Sequence, residues 1–340
     1  MRICSRDEEH TGGQSVQSYV RRVIKYSIIA FVCGGCVAAL CLWWVPSGAT
    51  LGQVAAEHSR AAPGAVAAAS QPTTAKAYPS DELSKACHRH AAALRGRLDD
   101  TFTVVTFPPF VVAGQATPKA VERLAAGSVV RPAGAMWARY FRHKPDQPIT
   151  VLLFSGNKNY RDWAECLFGD RDVAHFGYYR PGDRTLVMNI DTGSGTLVHE
   201  LTHALIAYDF PDVATWFNEG LASLHEQCRV LNDDIVGLTN WRLPALQAAI
   251  RDGKIRSLRD LVTKRDFYGP LRGLNYAQGR YFVMYMQKKR LLAKFYRYLR
   301  AHHNGADADV RAVEHVFGKP IAQVDADFRV WVATLKFPSR

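Results

Sequence analysis

Apolar residues along this chain change their spacing near residue 196, and that change predicts where strands give way to helices. Between residues 101 and 190 they fall in short β-branched and aromatic bursts bounded by Pro, Gly, Asn and Asp. These bursts predict strands over 101–106, 110–113, 149–154, 176–179 and 185–190, with Pro108-Pro109 as a hairpin-like break between the first two. Three- and four-residue spacing predicts helices over 80–98, 118–126, 133–143 and 158–168. From residue 196 onward the whole chain reads as helix: 196–208, 215–228, 243–252, 275–289, 291–302, 307–316 and 320–335. Strands first and helices later predict an α+β domain of two lobes, with the helix that starts near 196 at the seam between them.

The N-terminal pattern is different. Residues 26–45 (YSIIAFVCGGCVAALCLWWV) carry no charge. As a helix they span about 30 Å, the thickness of one bilayer core. Arg21, Arg22 and Lys25 precede them, and no Lys or Arg follows until Arg60. That asymmetry predicts a single-pass signal anchor with a cytosolic tail (1–25) and the remainder outside the cell or in a periplasm. A cleaved signal peptide is the competing reading, with a small-residue site at Ser47-Gly48-Ala49. Residues 46–80 are rich in Ala, Ser, Pro, Gly and Thr and read as a linker. Residues 81–340 are long enough for one domain with a sizeable core.

Candidate chemistry sits where the spacing changes. Val198-His199-Glu200-Leu201-Thr202-His203 contains HExxH, and Trp216-Phe217-Asn218-Glu219-Gly220 follows. On a helix His199 and His203 project from one face, so two imidazoles can share one metal ion. A catalytic zinc site needs a third protein ligand, and Glu219 is placed to supply it from a second helix packed on the first. Asp209-Phe210-Pro211-Asp212 supplies the turn, since Pro211 cannot continue a helix and Asp212 can cap the next. Ser223 lies four residues after Glu219, on the same face, where its hydroxyl can hydrogen-bond a metal ligand. Ser194 or Thr196 can cap the first of the two helices.

In the pattern HELTH…WFNEGLA the chain resembles the gluzincins, and most of all the peptidase MA-like bacterial metallopeptidases. The likeness extends to Phe176-Gly177-Tyr178-Tyr179, to 184–189 and to 275–282, and covers roughly residues 100–335. The resemblance implies a two-lobed metallopeptidase domain with a mixed sheet, the HExxH helix and a helical lobe. It implies one Zn²⁺ on His199, His203 and Glu219, with Glu200 as general base assisting attack of a zinc-bound water on a peptide bond. Relatives of this kind place a Tyr or His downstream to steady the oxyanion. Tyr276 is the first candidate, Tyr281 the second and His225 the third. Two other readings stay open: a gluzincin-like domain that binds zinc or a partner without turnover, and an amidase acting on cell-wall peptide.

The strand at 184–190 precedes the HExxH helix and is a candidate sheet edge to which an extended peptide or protein substrate can add, an ordinary core strand being the alternative. Formal charge is +12, with much of it between Lys288 and Arg300. With a membrane anchor ahead, a solvated basic helix face or contact with an anionic surface fits better than nucleic-acid binding. Among the three cysteines that follow the apolar run, Cys166 and Cys228 are the expected disulfide in an oxidising compartment, with Cys87 left over.

Overall fold

The structure, a computed structural model, describes residues 78–174, 176–305 and 307–337. The expected tail at 1–25, the anchor at 26–45 and nearly all of the linker lie outside the described residues. Among the described residues no helix is long and apolar enough to cross a membrane.

A five-stranded mixed sheet forms the first half. Its strands are β1 (Thr103–Phe107), β2 (Phe110–Gly114), β3 (Ile149–Phe154), β4 (Gly177–Arg180) and β5 (Thr185–Asn189), in the order β1-β2-β3-β5-β4. β2, β3 and β5 run parallel, while β1 and β4 are antiparallel edge strands. Period-two alternation sends side chains to two apolar layers. Val111, Ala113, Leu152, Phe154 and Val187 face α1 (Asp81–Arg95) and α4 (Asn157–Phe168). Phe110, Val112, Ile149, Val151, Leu153, Leu186 and Met188 face the larger core. That core is closed by α2 (Pro118–Ala125), which runs through a π-helical turn at Ala126–Val130 into α3 (Arg131–Arg139).

β5 leads through a short 3₁₀ turn into α5 (Ser194–Asp209), which carries HExxH and packs against β4 and β5. α6 (Thr215–Glu226) follows and lies along α5. A hairpin of β6 (Cys228–Leu231) and β7 (Asp234–Gly237) separates these from α7 (Leu243–Arg251), α8 (Leu258–Thr263), α9 (Arg272–Lys288), α10 (Leu292–His302), α11 (Ala308–Phe317) and α12 (Ile321–Thr334). The result is a mixed α/β chain with a sheet-bearing first half and a helical second half, as the change of spacing predicts.

Several local expectations need correction. The strand at 184–190 is internal: β5 lies between β3 and β4, and all five of its residues are buried. β4 is the edge instead. Asp212 does not cap α6, which starts from Ala214 without a side-chain cap. Neither Ser194 nor Thr196 caps α5, whose N-cap is Gly193 at φ 96°. The Cys166–Cys228 disulfide is not formed, because the Cys228 thiol is free. The hairpin and α8 fall in the gaps between the expected helices 215–228, 243–252 and 275–289. Asn232 and Asp233 turn the hairpin, both at positive φ (46° and 62°), in the conformation that two-residue β-turns favour.

Two close approaches hold the HExxH helix and its partner. A Cβ on Gly195 would sit 2.4 Å from the Glu226 carbonyl oxygen, so the start of α5 abuts the end of α6 directly. α6 and α9 cross at a glycine pair: a Cβ on Gly220 would meet the Gly279 carbonyl oxygen at 2.9 Å and Val283 Cγ2 at 3.0 Å. At the far end of α5 the buried Asp209 carboxylate accepts from the backbone N–H groups of Arg142 (2.7 Å) and His143 (2.6 Å), from Tyr296 Oη (2.7 Å) and from Arg300 Nη1 (2.6 Å). Trp216 Nε1 donates to Asp309 Oδ1 (2.7 Å), tying the start of α6 to α11. Gly220→Ala should therefore push α6 off α9 and cost about 1–3 kcal/mol, the usual penalty for overpacking. Denaturant unfolding checks this, and an unchanged midpoint would contradict the close crossing.

Candidate metal centre

α5 and α6 bring the expected ligands together. His199, His203 and Glu219 each offer one ligand atom, all within 4.8 Å of one another. His199 Nε2 and His203 Nε2 lie 3.1 Å apart, and Glu219 Oε2 is 3.5 and 3.6 Å from them. A four-coordinate ion bound at about 2.0–2.1 Å holds its ligands about 3.3 Å from each other. Glu219 Oε2 is buried and has no hydrogen-bond partner, although its carboxylate is 9% exposed at most. An orphaned carboxylate oxygen facing two imidazole nitrogens suits a cation, so this group can hold a metal ion.

Neighbouring side chains fix each ligand. His203 Nδ1 is 2.8 Å from Asn218 Oδ1; with Nδ1–H donating there, Nε2 is turned inward. Tyr268 Oη donates to Glu219 Oε1 (2.6 Å), leaving Oε2 to face the histidines. Tyr276, on α9, also directs its hydroxyl at Glu219. Burial and the Glu219 charge raise both phenols, so they stay protonated and act as donors. Neither the motif nor helical spacing assigns a role to Asn218 or Tyr268. Asn218 adjoins Glu219 and was open to inspection, whereas Tyr268 is 49 residues away and only the fold brings it near.

Electrostatics in the metal-free chain follow from burial. Burial alone would raise Glu219, but His203 and His199 hold it well below the ordinary carboxylate range. Burial alone would lower His203, yet the Glu219 carboxylate draws it up to about 9. The site is therefore an imidazolium–carboxylate pair near neutrality, and a metal ion entering it must displace a proton. Glu200, the next residue on α5, is pushed up by burial and held back by the two histidines. Its carboxylate accepts a hydrogen bond from the Tyr179 backbone, at the free edge of β4.

The other expected residues divide. Ser223 is buried, but its Oγ has no hydrogen-bond partner, so it does not bond a ligand. Tyr281 is in the core, its hydroxyl accepting from the Asn240 backbone N–H (3.0 Å). His225 is fully buried, stacked on Tyr140 at 5.9 Å, with Nδ1 3.0 Å from Thr202 Oγ1. Both are structural neighbours of the site, and neither hydrogen-bonds a metal ligand among the described residues. Tyr276 alone of the three oxyanion candidates does.

No protein-family model matches the chain, and no curated protein matches it either.

Tyr268→Phe should weaken zinc binding about 10–100-fold while leaving the fold intact, since it frees Oε1 of a ligand without removing the ligand. A competition titration against a zinc-responsive dye reads this, and an unchanged constant would show that the hydroxyl does not position Glu219. His225 gives a pH prediction. Burial, Arg280 and His199 lower it from 6.5 to about 3. The unfolded chain therefore takes up a proton that the folded chain refuses as pH falls from 6.5 toward 3, and stability drops by about 1.4 kcal/mol per pH unit in that window. Above pH 6.5 the group contributes no slope. His225→Gln should remove this component of acid destabilisation. Parallel pH profiles for the two proteins would contradict the assignment.

Proposed function

We propose that this chain is a membrane-anchored zinc peptidase of gluzincin type, hydrolysing peptide bonds on the extracytoplasmic side. The observation that carries the reading is the buried His199–His203–Glu219 group with a carboxylate, Glu200, beside it. The ligand set of two imidazoles and one carboxylate suits zinc, and three protein ligands leave a fourth position open. A bound zinc ion would supply Lewis acidity, polarising a carbonyl and easing deprotonation of water.

The chain's own residues would do the rest. Glu200 takes a proton from the attacking water and passes it to the leaving amine, a role suited to a carboxyl raised above its ordinary range. Tyr276 donates its hydroxyl proton in a hydrogen bond to the oxyanion of the tetrahedral intermediate, turning from Glu219 as the substrate enters. Tyr268 keeps its bond to Glu219 and holds that ligand in place. The peptide substrate adds along the edge of β4, where Gly177 presents its backbone groups away from β5, next to the Tyr179 N–H that Glu200 uses. The same edge supports Glu200 through Tyr179, so substrate and base share one strand. The anchor at 26–45 rests on its uncharged length and the flanking positive charges alone.

The full-length protein incubated with a peptide library and zinc should cleave, and Glu200→Gln should lower kcat by several orders of magnitude with zinc content unchanged. Equal cleavage by both proteins would refute the base assignment. Cleavage by neither, with zinc bound in both, would favour a binding domain.

A further inference from the structure

Beyond the ligands, a second cluster of charge lies at the end of α6. Glu226 occupies the helix C-terminus, where the dipole disfavours a carboxylate. It is compensated by Arg242, 7% exposed, whose Nη1 is 2.5 Å from Glu226 Oε2. A second guanidinium, Arg280 on α9, sits in the same cluster and is fully buried. Its Nη2 donates to the carbonyls of Leu238 and Gln227. Its Nε and Nη1 have no hydrogen-bond partner among the described residues. Burial drives it down to about 10, an unusual depression for a guanidinium.

Asn240 joins the two arginines. Its Oδ1 accepts from the Arg242 backbone N–H (3.1 Å), and its backbone N–H donates to Oη of Tyr281, the residue after Arg280 (3.0 Å). Its Nδ2 also lacks a partner. Among the described residues the cluster holds two guanidiniums and one carboxylate, and its three atoms without a hydrogen-bond partner are all donors. A trapped water can satisfy donors but brings no negative charge to the buried Arg280 guanidinium. A carboxylate answers both deficits, since it is acceptor-only and negative.

The cluster adjoins the candidate metal centre. The Arg242 guanidinium carbon is 5.9 Å from the ring centroid of Tyr276, whose hydroxyl faces Glu219. On its other side Arg242 lies 4.6 Å over the ring of Trp241, which is 48% exposed. The guanidinium therefore lies between an exposed indole and the ring of a tyrosine whose hydroxyl bonds a metal ligand.

We propose that Arg242, Arg280 and the Asn240 amide form a carboxylate-recognition subsite beside the His199–His203–Glu219 group, and that this selects peptides carrying a carboxylate close to the bond cleaved. The proposal rests on the peptidase reading for its substrate but not for its binding chemistry. The carboxylate is either an acidic side chain or the peptide's own C-terminus.

Binding without turnover separates these. Full-length Glu200→Gln protein, loaded with zinc in detergent, is titrated with oligo-alanine peptides in which Glu or Gln is walked through each position, each with a free or an amidated C-terminus. At least one carboxylate-bearing series should bind about tenfold or more tightly than its neutral isostere, and the responsive series names the source. Arg242→Gln should close that gap. Equal affinity across all peptides with both arginines intact overturns the subsite, even if the wild-type protein cleaves. A carboxylate preference without any cleavage by wild type supports the subsite and counts against the peptidase reading. A gap that survives in folded Arg242→Gln also overturns the assignment. Should that variant fail to fold by circular dichroism, the comparison with both arginines intact decides.

Discussion

A carboxylate buried between two imidazoles needs either a proton or a metal ion to balance it, and the arrangement around α5 and α6 follows from that requirement. Glu219 is 9% exposed and faces His199 and His203 at 3.5 and 3.6 Å. Left alone, the pair settles the charge by protonating His203. The surroundings keep the group ready for a cation: Asn218 fixes one imidazole, Tyr268 occupies the outer oxygen of Glu219, and the inner oxygen has no partner. Such an arrangement is costly unless something repays it, which is why the grouping points to chemistry rather than to packing.

Backbone proximity makes the grouping rigid. Gly195 lets the start of α5 touch the end of α6, and Gly220 with Gly279 lets α6 and α9 cross without intervening side chains. The second crossing sets Tyr276, three residues before Gly279, beside Glu219, one residue before Gly220. Asp209 and Trp216 then pin the outer ends of α5 and α6 to the helical half. The metal group therefore lies where the sheet-bearing half meets the helices, linked to the β4 edge through Glu200 and to Arg242 through Tyr276.

Much of this is legible in the sequence, and the failures have physical reasons. β3 falls at 149–154 because five apolar residues and Thr150, all buried, mark a central strand. β5 (Thr-Leu-Val-Met-Asn) is also buried throughout, which argues against an edge, whereas Gly177–Arg180 alternates buried and half-buried residues as an edge does. Strand order is a long-range property, and a local pattern hints at it without fixing it. The β6–β7 hairpin escaped because its strands are four residues each and partly exposed, although Asn232-Asp233 is a turn signal. His199, His203 and Glu219 were readable because helical spacing and one turn determine their approach. Ser223 shows the limit of that logic: it shares a face with Glu219, but the partner that bonds Glu219 is Tyr268, brought from a distant loop by the helical half.

The most direct test of the account is the zinc content of the purified full-length protein, measured by mass spectrometry beside a Glu219→Gln variant that retains the fold. One zinc ion per wild-type chain, with affinity reduced by orders of magnitude in the variant, is the predicted result. A wild-type chain that binds no zinc, or binds it equally well without the Glu219 carboxylate, would contradict the metal centre and the function built on it.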